Sequence, residues 1–463
     1  MDDVLSIIKR SEDIFIYGAG GMAHDIIKAL NYHLGRKNIR IVVSDKKCNP
    51  MVFEGYTVCG YEDIIGMQDV LIIIALQADT SKKVYSRLIQ DGFFNIITVD
   101  DLREYLFRCN DEKHFNRKVV FSNFGGGSYG CNPKYICENL RKADQTVECV
   151  WASNSAEGLP EAVKFVKYGT EEYYSELATA MVWVDNTHKS SLTKKRAGQY
   201  YIQTWHGTGP LKKIEYDTDN LPSSYYEYLS YDMAMVDLCI SGSSFNTEQY
   251  KRAFRYSGEI LESGSPRNDI FWDKKDCKAK VNETVKDKKW ILYAPTLRVG
   301  KSNVIDTYAV LKAFESFFGE DCVLLIREHP QMKLEPGRYV FNDKVLNTCE
   351  YPDIQELLAG ADVLITDYSS VMWDFSLQRK PVFLYHPDVS QYEEERGYYI
   401  PFREMPYIEA FDIEDLCRKV ASFDEKNYRN SLERFFAKYK SFDDGSAATR
   451  VCQRILNVLN SKP

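Results

Sequence analysis

Long apolar runs are missing from this sequence. No stretch approaches the roughly 20 consecutive apolar residues that cross a bilayer, so membrane contact, if any, is expected to be peripheral. No segment resembles a signal peptide, and none of the twelve cysteines, scattered from Cys48 to Cys452, belongs to a C-x-x-C pair. A disulfide framework and a structural zinc site are therefore not expected, and a reducing cytoplasm fits best. Positive charge is not in excess. With 59 Lys and Arg against 67 Asp and Glu, the formal net charge is −8, which opposes broad attraction to nucleic acid or anionic lipid. There is no P-loop, no G-x-S-x-G elbow and no His/Cys/Asp cluster with zinc spacing, which argues against a Walker-type ATPase, an esterase and a zinc hydrolase. No metal site and no cofactor are identified, and divalent-metal use stays open.

What is present is an α/β rhythm repeated three times. At 463 residues and 44% hydrophobic, the chain exceeds what one core serves. The first unit runs from the strand Ile14 to Tyr17 through the turn Gly18-Ala19-Gly20-Gly21 into a helix starting at Met22, with further strands at Ile39 to Val43 and Val70 to Ile74. The polar segment Arg108 to His114 ends it, giving a first domain over 1–112. Strands at Lys118 to Phe121, Val147 to Trp151, Met181 to Val184 and Tyr200 to Gln203 imply a second parallel sheet over 113–275. The charged stretch Asp273 to Lys289 precedes strands at Trp290 to Tyr293, Val323 to Ile326, Val363 to Ile365 and Val382 to Leu384, a third domain over 276–463. Ligands of open α/β sheets bind beyond the carboxyl ends of their strands, and the polar motifs sit there.

His206 lies in Gln203-Thr204-Trp205-His206-Gly207-Thr208-Gly209-Pro210, directly after a strand, where an imidazole can take a proton near neutrality. A hydrogen-bonded turn histidine is the bland alternative, but the glycines and the following Lys212-Lys213 pair favour a general base. His329 follows the strand Val323 to Ile326 and is suited to stabilising charge on a pyrophosphate as its bridging bond breaks. Thr366-Asp367-Tyr368-Ser369-Ser370 joins a strand to a helix start, where N–H groups and hydroxyls bind phosphate as readily as they cap the helix. Arg298, after the strand Trp290 to Tyr293, has the fork to clamp phosphate, and Arg267 and Asn268 occupy a turn of similar character. On the acceptor side stand Lys212 and the loop Gly125-Gly126-Gly127, which reads equally as a ligand loop or a hinge. Gly18-x-Gly20-x-x-Ala23, with Asp45 beyond it, fits the dinucleotide fingerprint weakly, since such glycines occur wherever a strand turns tightly into a helix.

Taken in order, Gln203 to Thr208, Ser265-Pro266-Arg267-Asn268-Asp269, Leu292 to Thr296, His329-Pro330 and Asp362 to Ser370 resemble the CDP-glycerol glycerophosphotransferase family. The likeness runs on through Arg396-Gly397-Tyr398-Tyr399 and Phe442 to Ala447, covering roughly Val119 to Leu456. It implies an α/β fold with two Rossmann-like domains in a glycosyltransferase-B-like arrangement, here preceded by a small N-terminal α/β Rossmann-like domain of uncertain role. It also implies a transferase that builds teichoic acid or capsule from CDP-glycerol or CDP-ribitol, acting on a polymer or lipid-linked acceptor in the cytoplasm, peripheral on the inner face of the membrane. By the same resemblance His206 is the base, His329 the second essential histidine, and Arg298, Thr366, Ser369 and Ser370 contact the donor phosphates. Gly209, inserted between Thr208 and Pro210, departs from the family pattern. The segment Ile14 to Asp101 is similar to the nucleotide-sugar-binding domains of some sugar acyltransferases through its Gly turn and Gly55 to Gly60. The alternatives are a nucleotide-sugar glycosyltransferase or epimerase on the same scaffold and a noncatalytic capsule-assembly protein. Glycerol against ribitol, primase against polymerase, acceptor identity and oligomeric state are left open.

Overall fold

Continuous apolar runs such as Leu71–Ile74, Cys322–Ile326 and Val363–Thr366 are buried at every position, as strands covered by helices on both faces must be. The computed structural model describes residues 4–461 except 36, 109–114, 208, 210, 219–220, 274–276, 297–303, 330–336 and 390–396. It contains three sheets of six, seven and six strands.

The first sheet has the spatial order Val52–Phe53, Tyr56–Gly60, Asn38–Val43, Asp13–Tyr17, Leu71–Ile74, Ile96–Ile97. All its pairs are parallel except the short hairpin between the first two. The second and third sheets are wholly parallel. In the second, Asn116–Ser122 is flanked by Glu148–Ser153 on one side and Ala180–Asp185 on the other, and Tyr200–Gln203 follows beside the latter. In the third, Lys289–Tyr293 lies between Cys322–Ile326 and Val363–Thr366. Each sheet thus reverses strand order at its first strand and opens a crevice at the carboxyl ends there.

The strands expected from the sequence are present. Those it left unread, including Lys164–Lys167, Glu259–Leu261 and Ile408–Ala410, are short edge or near-edge strands whose polar positions interrupt any apolar run.

The first two domains share one apolar cluster, in which Leu102, Leu106 and Phe107 meet Tyr174, Leu177 and Trp183. Arg103 reinforces that join by donating through Nε and Nη2 to the Ser191 carbonyl at 2.8 and 2.6 Å. The last helix, Ala447–Asn460, which the sequence division leaves with the third domain, crosses back and buries Val451, Cys452 and Ile455 against the second. Asp269 accepts from the N–H groups of Ala447 and Ala448 at 2.9 and 2.7 Å, satisfying the start of that helix.

Candidate active site

Carboxyl-end loops of the second and third sheets meet: Gly207, after the strand Tyr200–Gln203, comes close to Ser370, after the strand Val363–Thr366, and the space between these strand ends is the expected cleft. Gln203 ends a strand, and its Oε1 accepts from the Trp205 N–H at 2.9 Å, which holds Trp205 in the left-handed region at φ 50°. Asn132 donates to the carbonyls of Thr204 and Trp205 at 3.3 and 3.1 Å. This pinned turn presents His206. Its ring packs against Trp205 with centroids 4.2 Å apart and against Phe124 at 5.0 Å.

His206 Nδ1 lies 2.6 Å from the Asn186 carbonyl oxygen. A carbonyl only accepts, so Nδ1 carries the hydrogen and the lone pair of the neutral ring is on Nε2. Burial pushes the imidazole pKa down to about 4, aided by the nearby Arg267 and His188 charges and opposed by the Asn186 contact. At neutral pH His206 is an uncharged base of fixed tautomer.

Across the cleft, Gly207 lies so close to the Ser369-Ser370 turn that a methyl added to it would sit 3.9 Å from Ser370 Oγ. Gly209 approaches more closely. Its φ is 92°, and a β-carbon there would fall 2.6 Å from the Trp373 ring, so no other residue fits without displacement. Segment 211–213 then pairs with 397–399: Lys212 bridges Tyr398, Lys213 N–H donates to the Gly397 carbonyl and Tyr399 N–H to the Leu211 carbonyl, each at 2.9 Å.

That pairing carries Lys212 towards His329, whose pKa is lowered by burial first and then by the charges of Lys212 and Arg327. His329 therefore stands where positive charge converges. Arg327 itself donates to the Thr348 carbonyl at 3.0 Å.

The residues expected on the donor side divide by exposure. Ser369 and Ser370 are partly exposed at the cleft, and the Ser370 hydroxyl makes no capping bond. Thr366 is buried with its hydroxyl donating to the Ala294 carbonyl at 2.6 Å. Asp367 accepts from the N–H groups of Thr296 and Tyr368 at 2.9 and 2.5 Å, tying the two loops at the reversal point of the third sheet. Arg298 lies outside the described residues.

Arg267 and Asn268 are buried in the joint beneath the cleft, not on its surface. Arg267 pairs with Asp374 at 2.9 Å and donates to the His206 carbonyl at 2.7 Å. Asn268 donates to Asp374 at 3.2 Å. Of the residues expected on the acceptor side, Gly126 is buried at φ 99°, where a β-carbon would strike Tyr168 at 2.8 Å, and Gly127 N–H donates to the Asn123 carbonyl at 2.6 Å. Their loop lifts Phe124, 52% exposed, over the edge of His206.

Several groups of this site went unread in the sequence. Asp185-Asn186-Thr187-His188 follows the strand Ala180–Asp185, a polar quartet at a strand end of the kind that identified His206. His188 is buried between Asp232 at 2.7 Å and Glu215 at 3.5 Å and packs on Trp205 at 5.5 Å. Burial opposes its charge, but the two carboxylates prevail and raise its pKa to about 10.

The sequence profile of the family described as CDP-glycerol:poly(glycerophosphate) glycerophosphotransferase matches residues 105–457. The chain belongs to this family. The glycerophosphotransferase match begins near the end of the first domain, so that domain lies almost wholly outside it. A teichoic acid poly(glycerol phosphate) polymerase of Staphylococcus epidermidis is 30% identical over 72% of this chain and 49% of its own length. A teichoic acid glycerol-phosphate transferase of Staphylococcus aureus is 29% identical over 73% of this chain and 92% of its own. The chain spans about half the length of the first curated relatives it matches. Among solved structures, the wall teichoic acid polymerase TagF matches with a TM-score of 0.69 at 26% identity, covering 82% of this chain and 96% of that one. A TagF variant soaked with CDPG gives 0.67. The architecture of this family member is accordingly glycosyltransferase-B-like, and among its described residues no helix is long and apolar enough to cross a membrane.

Proposed function

We propose that the protein transfers glycerol phosphate, or ribitol phosphate in its place, from a CDP-activated donor to a hydroxyl of a growing cell-surface polymer, releasing CMP. The observation that carries this reading is the neutral His206, its Nε2 lone pair free of the Asn186 contact, on a loop that lies against the Ser369-Ser370 turn. Nε2 takes the acceptor hydroxyl proton as the oxygen attacks the donor's β-phosphorus. The bond from that phosphorus to the bridging oxygen breaks, and the electron pair leaves on CMP. His329, Ser369, Ser370 and Arg298 hold the pyrophosphate, His329 from a place that Lys212 and Arg327 make positive. Thr366 and Asp367 shape the donor loop, Arg267 and Asn268 fix the base's turn from below, and Gly126, Gly127 and Lys212 form the acceptor side.

The named substrates of the matched relatives support glycerol first. On this reading the protein meets its polymer acceptor at the inner face of the membrane, from the cytoplasm, and the ten described cysteines, all thiols, suit that compartment.

The test is CMP release from CDP-glycerol, with CDP-ribitol and a UDP-sugar in parallel, in the presence of extracted teichoic or capsular acceptor. CMP from a polyol donor is the expected result. Turnover of the UDP-sugar alone would overturn the reading.

A further inference from the structure

A cleft of about 1030 Å³ lies between the first and second domains, and none of the site residues named above lines it. It opens at carboxyl ends of the first sheet: Gln77 follows the strand Leu71–Ile74, and Thr98 follows Ile96–Ile97. The helix Ser223–Met233 with Tyr216 and Arg255 forms the opposite wall. Strand carboxyl ends and domain interfaces are where α/β proteins take ligands, in pockets of roughly 300–1,000 Å³.

The lining has a distinct chemistry. Tyr216 and Tyr226 stack with centroids 5.0 Å apart and planes 15° from parallel. The Arg255 guanidinium lies 3.8 Å from the Tyr216 ring centroid, and its backbone is held at φ 50°. Arg255, Lys82, Asp79 and Glu227 all border the cleft, and among the described residues none of their charged groups has an ion-pair partner. A polyanion entering here would meet three carboxylates, those of Asp79, Glu227 and the Arg103-paired Asp100. An apolar ligand would strip water from these four unpaired charged groups, and from the Arg103–Asp100 pair beside them, without replacing their hydrogen bonds. A neutral polyhydroxylated ring suits both signs, because each hydroxyl donates and accepts, and its C–H face lies well on tyrosine rings.

We infer that this cleft binds a neutral saccharide, the sugar portion of the acceptor. Naming the acceptor rests on the transferase reading above. It follows from position: Tyr216 adjoins Glu215, whose charge reaches His206, and Arg255 adjoins Phe254, which packs on Trp205 at 4.9 Å. The first domain then supplies half of an acceptor site that the family-matched domains complete.

The experiment is saturation-transfer NMR on the full chain with chitobiose, cellobiose and maltose, and with glycerol 3-phosphate and CDP as non-sugar probes. At least one disaccharide is expected to bind in the millimolar range. Tyr226→Ala and Arg255→Ala should each weaken it about tenfold, the loss of one stacking or charged hydrogen-bond contact, while Tyr226→Phe retains it. Lys82→Ala, at an exposed side chain, serves as a third variant should Tyr226→Ala fail to unfold cooperatively. No transfer to any disaccharide, binding indifferent to these substitutions, or displacement by glycerol 3-phosphate would overturn the inference. Disaccharide binding without CMP release from any CDP-polyol would sink the transferase reading and leave the cleft's assignment standing. CMP release without disaccharide binding would do the reverse.

Discussion

His188 and His206 both pack against the indole of Trp205, at 5.5 and 4.2 Å between centroids, yet they end in opposite charge states. His188 is clasped by Asp232 and Glu215 and its pKa rises to about 10. His206 has one backbone carbonyl for a partner and no adjacent carboxylate bonded to its ring, and burial takes it down to about 4. Burial disfavours the charged ring at both positions, so the partners decide the outcome. One imidazole becomes a fixed cation that braces the turn, and the other becomes a neutral base on it. The cation in turn helps to keep the base unprotonated, since the His188 charge is among those that lower His206.

The contrast can be broken from either side. His206→Ala removes the base, and CMP release is expected to fall by about 10²–10⁴-fold; CDP-glycerol binding, followed by calorimetry, should persist. His188→Gln leaves Asp232 and Glu215 buried without their counter-charge. Unfolding in urea should show a loss of about 3–5 kcal/mol, with slower transfer because Trp205 loses its brace. Gly209→Ala forces a β-carbon towards the Trp373 ring at a φ that L-residues avoid, and about 1–3 kcal/mol of strain is expected. A shifted His206 loop would show there as lower kcat with a smaller change in stability than for His188→Gln.

The pair also predicts opposite pH effects on stability. Between the ordinary 6.5 and about 4 the unfolded chain binds more protons at His206 than the folded chain does. That residue's contribution therefore falls as pH drops through this window. For His188 the folded state holds the proton more tightly, so its contribution is fully present below 6.5 and is lost as pH rises towards about 10. Denaturation midpoints of His188→Gln should consequently lose less relative to wild type at pH 9 than at pH 6.

The tandem sheets and the strand-end positions of His206 and His329 were legible because buried parallel strands write themselves as unbroken apolar runs and polar motifs follow their ends. Edge strands such as Lys164–Lys167 escaped because three of its four residues are exposed. His188 escaped for a different reason: its meaning comes from Asp232 and Glu215, 44 and 27 residues away in sequence, a proximity created only by the fold. Arg267 and Asn268 illustrate the same limit. Their residue types fit a phosphate turn, and only the packing shows them committed to Asp374 beneath it.

The most direct test of the central claim, a neutral His206 acting as base, is the pH dependence of kcat/KM for CMP release from CDP-glycerol, compared in wild type and His206→Ala. The account predicts that the wild-type profile bends on its acid side near pH 4 and that this bend is absent from the residual activity of the variant. An acid limb that remains unchanged in His206→Ala would contradict it.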